Sequence, residues 1–259
     1  MSRLTILMYH MVCKPETKEE SRYAITPKNF ANHMRFLVQS NYQVLSLSSI
    51  ERLISDQKFF PERSVVITFD DGFADNYESA YPILGEYGLP ATIFLISAKI
   101  GGVNEWMSGT KAYPVKPLLN WVQVHEMAKH NIEFGSHTVS HANLLEVSET
   151  QLRLELQDSK KELEDHFGMP VTQFAYPYGS YNQRCRDLVE TVGYKLACTT
   201  RSGFNNEAVD ALELRRLEVY GTDSVWQLRQ KMNFGTNDPS WTLPFKYYGR
   251  RLRARLKGV

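Results

Sequence analysis

The chain has 259 residues, 42% of them apolar and 12% aromatic, enough to build one large α/β core, which excludes a disordered or fibrous protein. Thirty basic and 29 acidic residues leave a formal charge of +1, which argues against a nucleic-acid binder. That balance is uneven: residues 239–259 carry six basic side chains and no acid, leaving 24 basic against 29 acidic, a net of −5, in the first 238.

In chain order, short β-branched runs alternate with helical patterns. Residues 4–8 form a predicted strand, followed by a helix over 27–40 with Thr26 as cap and Pro27 in its first turn. A strand at 42–45 and a short helix at 46–54 come next. Residues 64–69, Ser-Val-Val-Ile-Thr-Phe, read as a strand buried on both faces of a parallel sheet. A helix over 75–87 stops at Gly88, and a strand at 91–96 leads to a loop with Gly101, Gly102 and Gly109. Then come a helix at 118–130, a strand at 132–135, and a charged helix at 148–167 with a capping box from Ser148 to Gln151. Strands at 172–176, 194–198 and 214–219 and helices at 181–192 and 224–232 complete the pattern. Such alternation means parallel strands joined by crossovers, here one domain over residues 1–238 with a basic, aromatic tail at 239–259.

Parallel folds of this kind gather ligands at the carboxyl ends of their strands. Three polar clusters fall at such ends: Thr68-Phe69-Asp70-Asp71-Gly72, Gly135 through His141, and Phe174 through Gly179. Adjacent carboxylates at a buried strand end repel each other unless a cation or hydrogen bonds intervene. One Asp capping the next helix while the other faces water would also account for the pair. His137 and His141 stand four apart, one helical turn, so both imidazoles can converge on an ion. The spacing alone also suits two stacked surface histidines. Two histidines with one carboxylate bind a divalent transition metal and leave positions open; zinc leads, and cobalt, nickel and iron(II) are also accepted. The ion would acidify a water, and the second Asp would take its proton.

The first two clusters resemble the first two motifs of the polysaccharide deacetylases, the NodB-homology or carbohydrate esterase 4 family, and residues 174–179 resemble the third. The likeness runs from about Leu4 to Met232 and is nearest to the subgroup acting on poly-N-acetylglucosamine. It implies a distorted (β/α)7 barrel and hydrolysis of the acetyl amide of an N-acetylated saccharide, a glycan or, if the basic tail meets a membrane, a lipid-linked sugar. It also implies Asp70 as general base, Asp71, His137 and His141 as metal ligands, and the Tyr178 backbone N–H in the oxyanion hole. The side chains of Tyr176 and Tyr178 would stack on sugar rings, or simply fill the core.

The sequence departs from the family pattern twice. The Arg that opens the third motif and pairs with the catalytic Asp is Ala175 here, and no His follows His166 to serve as the late general acid. His10, ending the first strand, is the replacement acid, as a similar Tyr-His occurs in the poly-N-acetylglucosamine subgroup; a strand-end core histidine is the plain alternative. Arg216 would supply the missing cation near Asp70, although surface salt bridges account for Arg215 and Arg216 equally well. His33, His125, His130 and His166 fall in helical patterns without a catalytic part, and Glu105-Trp106 in the glycine-rich loop would line a groove.

Aromatic and basic residues mixed over 239–259 suit peripheral contact with an anionic membrane, or a solvated terminus. Three scattered cysteines without a CxxC pair, no leader-like start and no apolar run of the ~20 residues a membrane helix needs give a cytoplasmic expectation, at most peripheral at the inner membrane face. Three rivals stand beside the N-deacetylase. An O-acetyl glycan esterase would share the mechanism, and a sugar-binding barrel would have lost it. A dehalogenase-type phosphatase would space its two acids by one residue and leave the histidines unused.

Overall fold

A computed structural model describes residues 3–107, 113–238, 240 and 242. Gly109 and nearly all of the basic tail lie outside the described residues. The strands are β1 (Leu4–Tyr9), β2 (Gln43–Val44), β3 (Ser64–Phe69), β4 (Ala91–Leu95), β5 (Ile132–Ser136), β6 (Gln173–Ala175), β7 (Leu196–Cys198) and β8 (Leu217–Glu218). The helices are α1 (Pro27–Gln39), α2 (Leu47–Ser55), α3 (Tyr81–Tyr87), α4 (Trp121–Ala128), α5 (Glu149–Phe167), α6 (Gln183–Val192) and α7 (Val225–Phe234).

Every strand pair is parallel, in the order β7-β6-β5-β4-β3-β1-β8, with β2 alongside the start of β3. The sheet curls until its ends meet. Cys198 bridges Leu214, Thr199 N–H donates to Leu214 O at 2.8 Å, and Arg216 N–H to Arg201 O at 3.0 Å. The single strand expected over 214–219 is therefore divided: its first half closes the barrel against β7, and only Leu217–Glu218 pairs with β1. The result is the expected distorted seven-stranded barrel, with β2 as an extra strand off the ring.

Side-chain parity builds two cores from strands buried along their whole length. Leu7, Tyr9, Val65, Ile67 and Phe69 point outward to Met34 and Leu37 of α1 and to the other helices. Leu4, Ile6, Val66, Phe94 and Cys198 point inward and fill the barrel, with Leu47 and Ile50 of α2 packed against them. Phe94 takes so much of the interior that a Cβ on Gly135 would sit 2.7 Å from its ring. A larger residue on β5 would have to displace that ring.

Helix starts follow local chemistry. Thr26, Ser46, Ser148, Asn182 and Ser224 each accept an N–H from the first turn, and Gly88, Gly168, Gly193 and Gly235 end helices in the left-handed region. Some expectations are corrected. The capping box at Ser148 is only half made, because Gln151 turns its amide to Glu155. The helix expected from 75 opens as a wide π-type turn, Asn76–Ala80, before α3. The one expected from 118 begins at Trp121, because Leu119 N–H pairs with Gly72 O at 2.8 Å and Asn120 supplies the cap. No helix among the described residues is long and apolar enough to cross a membrane.

Candidate active site

The inward parity that packs the barrel continues past the strand ends and aims the polar side chains. Ile6 and Met8 are followed two residues on by His10; Val66 and Thr68 by Asp70; Gly135 by His137. All three emerge at the carboxyl end of the barrel, in a cleft of about 580 Å³. Asp71, His141, Tyr23, Trp106, Tyr178 and Glu218 are also among its lining.

Asp70 and Asp71 are both buried, yet their environments differ. Asp70 is gripped by Arg216, with Nη1 to Oδ1 at 2.6 Å and Nη2 to Oδ2 at 2.7 Å. Arg216, itself fully buried, also donates from Nε to Thr199 O at 2.9 Å and from Nη1 to Thr68 Oγ1 at 3.2 Å. Burial alone would raise the Asp70 carboxyl; the Arg216 charge and its hydrogen bonds outweigh that and hold it well below the usual carboxylate range. The cation missing at Ala175 thus arrives from the seam of the barrel.

Asp71 turns away in a left-handed backbone, φ 74°, toward the histidines. Its Oδ1 lies 3.5 Å from His137 Nε2 and 3.3 Å from His141 Nε2, and is buried without a hydrogen-bond partner among the described residues. The three ligand atoms lie within 4.8 Å of one another. His137 Nδ1 is 2.7 Å from Ala175 O. A carbonyl only accepts, so Nδ1 carries the proton and Nε2 offers its lone pair toward Asp71. Burial pushes the His137 imidazole down to about 4 against the pull of both aspartates, so it is neutral near pH 7. Two imidazole nitrogens facing a carboxylate with an orphaned oxygen fit a divalent transition metal.

The histidine spacing works by a route other than a helical turn. Thr138 and His141 have φ of 71° and 64°, so residues 137–141 form a tight loop whose two bends bring the rings together. Glu155, buried on α5, braces that loop by accepting Val139 N–H at 3.0 Å, Ser140 N–H at 2.9 Å and Ser140 Oγ at 2.7 Å. Sequence reasoning missed Glu155. Its signal is an acid on the buried stripe Leu152, Leu156, Ser159 and Leu163. Among the described residues, four of the eight non-glycine positive-φ residues (Asp71, Thr138, His141 and Tyr178) lie in the site's turns, where backbone strain holds functional groups in place.

Around this centre, the Trp106 and Tyr178 rings lie against the His141 ring, their centroids 5.0 Å and 4.5 Å from its own. Glu105 pairs instead with Lys99. Tyr178 is 56% exposed at the cleft, whereas Tyr176 is corrected: it is 0% exposed, donates its hydroxyl to Leu212 O at 3.1 Å and stacks on Tyr181. A sugar cannot reach it. His10 lies beside Tyr23, ring centroids 5.1 Å apart, with Nδ1 buried and without a hydrogen-bond partner among the described residues. Of the other histidines, His33 is a core residue bonded to Tyr9 and Asp223, while His125 and His166 pack by Trp121 and His130 by Tyr81.

A sequence model of the family described as Polysaccharide deacetylase matches residues 57–197. YxkH of Bacillus subtilis (strain 168), whose name places it among polysaccharide deacetylases, is 34% identical over 218 residues, 84% of this chain and 72% of that one. The poly-beta-1,6-N-acetyl-D-glucosamine N-deacetylase of Staphylococcus aureus (strain MRSA252) is 30% identical over 188 residues, 69% of this chain and 62% of its own length. Among solved structures, the Streptococcus pyogenes deacetylase PplD in complex with acetate superposes with a TM-score of 0.77 at 29% identity, covering 89% of this chain and 98% of PplD. IcaB from Ammonifex degensii gives 0.72 at 26% identity, covering 85% and 92%. The barrel, the motifs in their order and these likenesses agree: the chain belongs to the polysaccharide deacetylase family of hydrolases.

Proposed function

We propose that this protein hydrolyses the acetyl amide of an N-acetylated saccharide with the help of a divalent metal, zinc foremost. The observation that carries the reading is the convergence of Asp71, His137 and His141 within 4.8 Å beside an Asp70 kept ionised by Arg216. Bound by those three residues, the metal would polarise the acetyl carbonyl and acidify the attacking water.

The chain supplies the rest. Asp70 accepts the proton of the attacking water, and Arg216 fixes both of its carboxylate oxygens. The Tyr178 backbone, turned by its φ of 59°, offers an N–H to the developing oxyanion. Trp106 and Tyr178 flank the His141 side of the cleft as apolar faces for the sugar and its acetyl group. His10, which lines the same cleft as both aspartates, donates a proton to the departing nitrogen. The likeness to an enzyme named for poly-beta-1,6-N-acetyl-D-glucosamine supports a hexosamine polymer as substrate class.

Acetate release from N-acetylglucosamine oligomers, with zinc or cobalt added, tests the reading. Release that needs metal and Asp70 is expected. No release from any N-acetylated sugar by metal-loaded protein would overturn it, and release only from O-acetylated glycans would make the protein an esterase.

A further inference from the structure

β1 ends at Tyr9, so the segment carrying His10 is held by something other than its strand. Its backbone groups can be followed one by one. Asn76 Nδ2 donates to His10 O at 2.8 Å, and Val12 N–H donates to Asp75 Oδ1 at 2.8 Å. The same Asp75 oxygen accepts from Asn76 Nδ2 at 3.0 Å, which locks the two side chains together. Met11 between them pairs with the opposite wall, its N–H to Tyr23 O at 3.1 Å and its carbonyl from Ile25 N–H at 3.0 Å. Asn76 is wholly buried, a costly place for an amide unless it has a specific partner.

The His10 ring, by contrast, has an aromatic contact with Tyr23 and, among the described residues, no hydrogen-bond partner on its buried Nδ1. Its direction in the cleft is therefore set by the backbone beneath it. That backbone hangs on Asp75 and Asn76, which leave the Asp70-Asp71-Gly72 turn only a few residues later.

We infer that Asp75 and Asn76 are positioning residues that register His10 against the two aspartates, so that one short loop sets the spacing of base, metal ligand and proton donor. The inference rests on the reading of His10 as proton donor. A side chain misplaced by about 1 Å costs on the order of 100-fold in rate, so a clamp of this kind has a measurable effect.

The test is a double-mutant cycle on the zinc-loaded full chain, with N-acetylglucosamine oligomers as the probe. Asn76→Ala should lower kcat by about 10- to 100-fold while KM stays within about twofold and zinc affinity is unchanged. In the His10→Ala background the same substitution should cost nothing further, because it acts only through His10. Asp75→Ala should behave like Asn76→Ala, and Asp75→Asn, which keeps an acceptor for Val12 N–H, should recover most of the lost kcat. The Asp75 series stands in if Asn76→Ala does not fold. An additive cycle, or an unchanged kcat in both single variants, would overturn the clamp alone. Full kcat in His10→Ala would overturn the proton-donor reading, and the clamp with it.

Discussion

Two buried ion pairs sit in the same barrel and behave in opposite ways. Arg216–Asp70 lies under the cleft, and Lys231–Asp223 lies in the wall behind β8, fully enclosed with its nitrogen 2.5 Å from the carboxylate. In the first, the guanidinium overcomes burial and Asp70 is held low. In the second, burial dominates: Asp223 is pushed up and Lys231 down, each toward its neutral form, despite their mutual attraction. The difference is in the partners. Arg216 spans both oxygens of Asp70 and also donates to Thr199 O and Thr68, whereas Asp223 Oδ1 has no hydrogen-bond partner among the described residues. A planar fork desolvates less expensively than an ammonium point charge and holds two bonds at once. A barrel can therefore bury charge for chemistry at its mouth and bury it merely for shape in its wall.

Removing the carboxylate at the mouth should have the largest effect. Asp70→Asn is expected to cost about 10²–10⁴-fold in turnover with zinc still bound, while Asp71→Ala should weaken zinc binding itself. Acetate release and zinc titration separate the two, and an active Asp70→Asn would refute the assigned base. Next, Arg216→Met leaves Asp70 buried and unpaired, and urea unfolding should show a loss of about 3–5 kcal/mol. Arg216→Lys should restore only part of it, because a lysine cannot span both oxygens.

The wall supplies a pH test through His33, which bonds to Tyr9 and to the carbonyl of Asp223. Burial lowers its imidazole to about 4 from an ordinary 6.5. Between those values the unfolded chain binds the proton and the folded one does not, so this contribution is complete above pH 6.5 and is lost as pH falls toward 4. Compared with His33→Gln, the native protein should lose about 3 kcal/mol of relative stability over that window. A parallel pair of stability curves would show that His33 is not the titrating group. The smallest effect belongs to the double variant Asp223→Leu with Lys231→Met, expected within about 1 kcal/mol of the parent and with unchanged kcat. A loss as large as that of Arg216→Met would erase the distinction between the two pairs.

Much of this site could be read from the sequence because the barrel is periodic. An apolar run ending in Asp-Asp, and a glycine strand ending in a histidine, place polar groups at the mouth wherever parallel strands alternate. The sequence does not specify what register or tertiary contact decides. Arg215 and Arg216 are indistinguishable in Leu-Arg-Arg-Leu, and only the crossing from β7 to β1 sends Arg216 inward. Tyr176 and Tyr178 look alike in sequence, but alternation buries the first and the left-handed turn exposes the second. Glu155 is hidden among the charges of α5, and the bends at Thr138 and His141 are invisible in a spacing that also suits a helix.

The bond from Arg216 Nε to Thr199 O crosses the join where the last strand meets β7. One side chain is therefore both a rivet of the cylinder and the counterion of Asp70. The barrel cannot spring open there without disarming Asp70, so on heating the loss of activity should coincide with the parting of that join rather than precede it. Any variant that tightens the join should extend the working temperature of the chemistry by the same interval.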